Sequence, residues 1–159
     1  MSFAIPLPRQ IHRRLDPVVR TLAPLLDAGT LTANGELRAD LTCRATVDTA
    51  RRGITAASAV YIAWDARCSC RYVGSVCRQS PTAVGDRLAE HHQHRTEGPA
   101  RRAGWAVLTV LPVRADAPPR IVQAAEGWAA RLLGPLDGAA HPRIDLALPP
   151  TALAASIGR

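Results

Sequence analysis

The sequence predicts an α+β fold in which a small three-stranded antiparallel sheet is flanked by helices. Two short runs rich in β-branched and aromatic residues lie close together between positions 58 and 76, and a third apolar run covers 104–113. The segments after the second and third runs open at proline and have helical periodicity. The predicted order is therefore β-β-α-β-α, preceded by a short, mainly helical N-terminal segment.

Length and composition indicate an ordinary globular chain. It has 159 residues, of which 47% are apolar and 21% charged, so it can bury a core without disulfides or metal and is not disordered. No apolar run reaches the roughly 18–20 residues that cross a bilayer. The N-terminus has prolines in its apolar stretch and no basic region before it, which is not typical of a signal peptide. We expect a cytoplasmic protein with no membrane partner.

Residues 1–57 are expected to form a mainly helical accessory segment. Asp16-Pro17 predicts an N-cap followed by proline at the first helical position. Asn34-Gly35 predicts a turn. Asp40 is expected to cap a second short helix that Gly53 ends.

The strands Ser58–Trp64 and Cys70–Val76 are expected to form a hairpin. The midpoint between Tyr61 and Tyr72 falls inside the connecting loop, and an even-length loop centred there would place the two tyrosines directly opposite each other. Because side chains alternate along a strand, Val60 and its neighbours two positions away would then face the other side of the sheet. An ordinary aromatic cross-strand pair is the alternative interpretation of this pattern.

The rest of the chain supplies two helices and one strand. Ser80-Pro81 is expected to open a helix to about Arg95, and Gly104–Val113 is the predicted third strand. Pro118-Pro119 opens the last helix, which Gly134 ends. Its predicted apolar stripe contains Ile121, Ala125, Trp128 and Leu132. The tail from Asp137 onward, including residues 143–159, is expected to be irregular.

The charge is strongly basic. Formal net charge is +7, and all twenty basic residues are arginine. Each guanidinium is a planar fork of donors that fits phosphate, so a polyanionic partner such as nucleic acid is expected. The charge is spread along the chain, and for each arginine a solvated surface position is the alternative.

The four cysteines are expected to be reduced in a cytoplasmic chain. Cys68, Cys70 and Cys77, together with a histidine, suggest a zinc site, although the usual ligand spacing is missing. Small, half-buried side chains on a hairpin are the alternative.

Several polar residues lie where they could share one site. Gly74 would lie on the tyrosine face and leave room for a ligand backbone. Arg87 and His91 are four residues apart and share one face of a helix. Glu126 is the one acid of the last predicted helix, at the margin of its apolar stripe, where a carboxylate needs solvent, an arginine or a metal.

In this order the residues resemble the GIY-YIG nuclease domain across positions 58–142. The matching positions are Val60-Tyr61, Tyr72-Val73-Gly74, Arg87 with His91, Glu126, and Pro135 nine residues beyond that acid. Two positions depart from the family pattern: Ala59-Val60 stands where the family has Gly-Ile, and the asparagine that often follows the proline is absent.

The resemblance implies a metal-dependent endonuclease that hydrolyses DNA phosphodiester bonds. The carboxylate of Glu126 would bind one Mg²⁺ or Mn²⁺, and Arg87 would hold the scissile phosphate. Tyr61 would act as general base or position the water, with its pKa lowered by Arg87 and the metal. Tyr72 would hydrogen-bond the water or phosphate, and His91 would be a proton shuttle or second base.

Arginines in the surrounding loops are expected to contact the nucleic-acid backbone. They are Arg71 and Arg95, with Arg78, Arg101 and Arg102 as weaker candidates. Two other functions remain open at this point. One is a catalytically weak nucleic-acid-binding module of the same fold, and the other is a zinc-stabilised interaction protein.

Overall fold

The structure is a computed structural model that describes residues 8–28, 38–97, 100–137 and 148–159. The predicted turn at Asn34-Gly35 lies outside these residues. The described part is α+β, as predicted, with five helices and one four-stranded antiparallel sheet. The elements are α1 (Arg9–Leu22), β1 (Arg38–Asp40), α2 (Arg44–Gly53), β2 (Ser58–Trp64), β3 (Cys70–Cys77), α3 (Ala83–Glu97), β4 (Val107–Pro112), α4 (Pro119–Leu133) and α5 (Pro150–Ala155), with 3₁₀ turns at Ala23–Leu25 and Ala100–Gly104.

The sheet has the strand order β1-β4-β2-β3, one strand more than predicted. The extra strand β1 is only three residues long, too short for its charged-apolar-charged alternation to be recognised in the sequence. Asp40, the expected helix cap, instead ends β1, and its carboxylate accepts a hydrogen bond from the Thr42 backbone N–H at 2.8 Å. Helix α2 therefore begins later, at Arg44, and ends at Gly53 as predicted.

The register of the β2–β3 hairpin differs from the prediction. Tyr61 lies opposite Gly74, whereas Tyr72 lies opposite Ala63, so the predicted Tyr61–Tyr72 pairing is wrong. The ladder shifts register after Ala63, and the Asp65 carboxylate holds the connecting loop in an asymmetric turn by accepting two backbone N–H groups. Both tyrosines remain on one face of the sheet, because Tyr72 and Gly74 are two residues apart.

Helices cover both faces of the sheet. On the face of Tyr61, helices α2 and α3 contribute to one buried hydrophobic cluster. On the opposite face, Val60 and Ile62 pack against α1 and α4, as the predicted alternation requires. A single sheet therefore separates two cores, and any polar group in the middle of a strand belongs to one of them.

Helix α1 begins at Arg9 rather than at the predicted Asp16-Pro17 cap, and Pro17 lies inside it. Four apolar side chains on one face of α1 are at most 3% exposed, namely Ile11, Leu15, Val18 and Leu22. Burying them contributes about 1.5–3 kcal/mol each, which exceeds the cost of roughly 3 kcal/mol for an interior proline. Packing in the folded chain thus overrides the local proline signal.

The last elements match the prediction only in part. Helix α4 ends at Leu133 and is capped, as predicted, by Gly134, whose φ of 58° is the left-handed conformation that glycine adopts readily. Leu132, expected in the apolar stripe, is 44% exposed, and Leu133 is buried instead. The tail expected to be irregular contains helix α5, which opens with Pro150 at its first position and packs against the turn at Ala23–Leu25.

No helix among the described residues is both long and apolar enough to cross a lipid bilayer.

Candidate active site

Four aromatic side chains on the α3 face of the sheet pack in a closed cycle, each against the next. We call this cluster the aromatic box. Its members are Tyr61, Tyr72, Trp105 and His91. The centroid distances around the box are 6.1 Å from Tyr61 to Tyr72, 5.1 Å from Tyr72 to Trp105, 5.3 Å from Trp105 to His91, and 4.8 Å from His91 to Tyr61. Trp105 was not predicted to belong to the site, because a lone tryptophan near the start of an apolar run is typical of a core residue.

Gly74 makes the space in which the Tyr61 phenol lies. A Cβ atom placed on Gly74 would lie 2.5 Å from Cζ of Tyr61 and 2.7 Å from Cε1 of Tyr72, far inside van der Waals contact. The space that the sequence analysis assigned to a ligand backbone is therefore filled by the phenol itself. Glycine is needed here for the close approach of a ring to the strand.

Arg87 reaches the box from α3. Its guanidinium carbon lies 6.0 Å from the centroid of the Tyr61 ring, and Nη1 donates to Oε2 of Glu90 at 2.5 Å. Burial raises the pKa of Tyr61 to about 12, although the charge of Arg87 and its hydrogen bond lower it. Arg87 thus lowers this pKa, as expected, but burial outweighs its effect. The phenol keeps its proton at neutral pH and is a hydrogen-bond donor.

His91 is almost completely buried and unpaired. It is 1% exposed, and within the described ranges neither ring nitrogen has a hydrogen-bond partner. Burial, followed by the charges of Arg87 and Arg102, lowers the His91 pKa from 6.5 to about 3. The imidazole is therefore neutral at physiological pH.

This burial predicts an acid-sensitive stability. Below about pH 6.5 the unfolded chain binds a proton at His91, whereas the folded chain leaves it neutral down to about pH 3. Stability contributed by the neutral ring is thus complete above pH 6.5 and is lost as the pH falls. We expect a loss of about 2 kcal/mol between pH 8 and pH 5.

Urea unfolding of wild type and His91→Phe at pH 8 and pH 5 measures the effect. The difference in unfolding free energy between the two pH values should be smaller in the variant by that amount. Equal pH dependence in the two proteins would show that His91 takes up its proton without unfolding.

Glu126 lies on the opposite face of the sheet from the aromatic box, so the predicted carboxylate and the phenol do not share one face. Ser75 lies opposite Val60, so its side chain points toward α4, and its hydroxyl donates to Oε2 of Glu126 at 2.5 Å. Tyr61 and Arg87 lie on the α3 face. The carboxylate is nevertheless close enough that its charge is one cause of the raised Tyr61 pKa. The outer strand β3 therefore lies between the phenol and the carboxylate.

The expected backbone-binding arginines are occupied by contacts within the chain. Arg71 forms a two-pronged ion pair with Asp137, at 2.9 and 2.7 Å. Asp137 also accepts a hydrogen bond from Nε1 of Trp105 at 3.0 Å. Arg95 donates to the Trp105 carbonyl oxygen at 2.7 Å, and the Arg102 guanidinium lies 5.5 Å from the Trp105 ring centroid. These three arginines thus support the Trp105 side of the box.

Two of the weaker candidates are placed differently. Arg78 is exposed and pairs with Glu90 at 3.5 Å. The side chain of Arg101 lies outside the part of the chain that the structure describes. Glu90, three residues after Arg87 on α3, was not singled out from the sequence, although that spacing places the two side chains together.

The prediction of a zinc site at Cys68, Cys70 and Cys77 is wrong. Cys70 and Cys77 stand at opposite ends of strand β3, which at about 3.3 Å per residue places them roughly 20 Å apart. All four thiols are free. In the described ranges no three histidine, cysteine or acidic side chains are grouped so that they could hold a metal ion.

The chemistry of Glu126 fits a hydrated hard cation. Mg²⁺ binds through one or two carboxylates and keeps several waters, so it does not need a dedicated cage of protein ligands. Glu126 is half-buried, and the Ser75 hydroxyl fixes one of its oxygens. A bound ion would complete its coordination with water and substrate oxygens.

Comparison with known proteins adds no relationship: no family model matches the chain, and no curated protein and no solved structure is significantly similar to it.

Proposed function

We propose that this chain is a metal-dependent endonuclease that hydrolyses DNA phosphodiester bonds. The observation that carries the proposal is the contact between Arg87 and the Tyr61 phenol, with the His91 ring packed 4.8 Å from the same tyrosine. A guanidinium, a phenol and an imidazole from a strand and a helix thus meet in one place. Phosphodiester hydrolysis needs these groups to hold a phosphate and to handle a water and its protons.

Arg87 is the group that binds the phosphate. Its side chain is 28% exposed, so it is partly desolvated but still open to a ligand. A guanidinium has five N–H donors, and hydrogen bonds to a charged phosphate are about twice as strong as those between neutral groups. Arg87 would therefore hold a non-bridging oxygen and stabilise the charge that develops on it.

Tyr61 and His91 divide the work on the attacking water. The Tyr61 phenol, protonated because of its raised pKa, orients the water or a phosphate oxygen by hydrogen bonding rather than by taking a proton. The neutral His91 ring would accept the water proton as the water oxygen bonds to phosphorus and the P–O bond to the leaving oxygen breaks. Burial is the main cause of the low His91 pKa, and nearby positive charges lower it further. A phosphate bound beside Arg87 would offset those charges, so substrate would make this ring a stronger base.

Glu126 would hold the divalent cation, with Ser75 orienting its carboxylate. When bound, Mg²⁺ or Mn²⁺ would supply Lewis-acid stabilisation of charge on the phosphoryl oxygens.

Plasmid nicking tests the proposal. Purified protein should convert supercoiled plasmid to the open circle with Mg²⁺ and should stop when a chelator is added. Glu126→Gln should reduce nicking to the level seen with chelator, because the amide keeps the shape but loses the charge that binds the cation. Asp116→Asn removes an acidic charge that pairs with Arg114 and should nick at the wild-type rate. Wild-type nicking by Glu126→Gln would overturn the assignment of the metal site.

A nucleic-acid-binding module without cleavage is the second candidate. Two observations favour it, namely the position of Glu126 across strand β3 from the phenol and the raised Tyr61 pKa. Binding that weakens steeply with salt, together with no nicking in Mg²⁺ or Mn²⁺, would select this function.

A further inference from the structure

A single carboxylate lies between two arginines next to the aromatic box. Oε2 of Glu90 accepts from Nη1 of Arg87 at 2.5 Å, and Oε1 lies 3.5 Å from Nη1 of Arg78. The hydrogen bond from Arg87, followed by the charges of both arginines, lowers the pKa of Glu90, so this carboxylate is ionised at neutral pH. Two cations therefore share one anion.

The two arginines reach this place from different elements. Arg87 projects from α3 toward the Tyr61 phenol. Arg78 directly follows strand β3, and its backbone N–H donates to the Ala57 carbonyl at 3.1 Å, which fixes where its side chain begins. The side chains of Arg78 and Glu90 are 51% and 35% exposed, so solvent and a ligand can reach the carboxylate.

The geometry points to an anion site. Carboxylate and phosphate both offer two oxygens to arginine forks, and the same guanidinium donors serve either. We propose that Arg78 and Arg87 together form a phosphodiester-binding site that the Glu90 carboxylate occupies until a backbone phosphate of nucleic acid displaces it. This inference rests on the proposed function, since it takes nucleic acid as the substrate. It adds Glu90 to the site and joins Arg78 to Arg87 at one phosphate.

The displaced carboxylate has a functional consequence. A phosphate that enters must compete with an anion already held by both arginines, so Glu90 lowers the affinity for polyanions. Arg87 is also kept paired and directed at Tyr61 while no substrate is bound. Removing the negative charge of Glu90 should therefore strengthen binding, and the gain should depend on Arg78.

The test measures binding of a short fluorescein-labelled DNA duplex in a chelator, where no cleavage occurs. Glu90→Gln should bind about three- to tenfold more tightly than wild type, and its affinity should fall more steeply with salt, as expected for about one additional phosphate contact. Asp16→Asn is the matched control, because Asp16 also pairs with an arginine, Arg20, but belongs to α1 on the opposite face. Its affinity should change much less.

The double variant Arg78→Gln/Glu90→Gln should lose most of the gain. Arg78→Gln alone should bind more weakly than Arg44→Gln, which removes an exposed arginine of α2 that pairs with Asp48. This second comparison does not depend on whether Glu90→Gln folds. Equal gains in Glu90→Gln and Asp16→Asn, or a gain that survives loss of Arg78, would overturn the inference.

The outcomes separate this inference from the proposed function. Duplex binding that responds to Glu90 as described, without nicking in Mg²⁺, would support the anion site and reject the nuclease. Metal-dependent nicking with no response to Glu90 or Arg78 would support the nuclease and reject the anion site. No duplex binding by wild type or Glu90→Gln, even at low salt, would reject both.

Discussion

An Arg87→Ala variant is expected to nick plasmid DNA about 100-fold to 1,000-fold more slowly than wild type. Such a loss is typical when one preorganised donor to a developing negative charge is removed. Arg87 is half-buried beside the Tyr61 phenol, so water cannot replace its guanidinium with equal geometry. Initial rates on supercoiled plasmid in Mg²⁺ give the ratio, and thermal midpoints of both proteins verify that the variant is folded.

Two further variants make this result specific. Arg114→Ala removes an arginine that pairs with Asp116 and should keep the wild-type rate. Arg87→Lys keeps the charge but loses the planar fork, so its rate should fall between those of wild type and Arg87→Ala. If Arg87→Ala and Arg114→Ala nick equally fast, Arg87 does not hold the scissile phosphate.

Gly74→Ala is expected to lower the free energy of unfolding by about 1–3 kcal/mol, the usual cost of forcing an extra methyl group into a filled space. The added Cβ would lie 2.5 Å from Cζ of Tyr61, and the phenol is held on its other sides by the rings of Tyr72 and His91. Nicking should fall as well, because Tyr61 must move away from Arg87. Urea denaturation measures the first effect and plasmid nicking the second.

Gly53→Ala is the control for this substitution. Gly53 is the last residue of α2, and a Cβ there would meet nothing within 4 Å. Its stability should stay the same or rise slightly, since alanine has the higher helix propensity. A Gly74→Ala protein as stable as Gly53→Ala would mean that the Tyr61 ring adjusts at no cost.

The elements around the site follow from local patterns. Strand Ser58–Trp64 has the predicted bounds because its β-branched and aromatic residues favour an extended strand over a helix or a turn. The spacing of Arg87 and His91 places them on one helix face, and strand alternation separates Tyr61 from Val60. These short-range rules were enough to predict from the sequence that the phenol, the guanidinium and the imidazole lie close together.

Features that depend on distant packing were not predictable. The loop after Trp64 sets the hairpin register through backbone hydrogen bonds to the Asp65 carboxylate, and no count of loop residues reveals that turn. Strand β1 exists because β4 offers an edge, not because its three residues favour strand. The sequence also places Glu126 on a helix without showing which face of the sheet that helix covers.

The aromatic box gives the protein an optical reporter of its own. Indole emission responds to nearby charges, and Trp105 lies between Tyr72 and His91 with a guanidinium beside it. The other two tryptophans, Trp64 and Trp128, belong to the hydrophobic cluster on the far side of the sheet. Arg14 also lies over the Trp64 ring, so a Trp105→Phe variant would separate the fluorescence response of the aromatic box from that of the far side, without any attached dye.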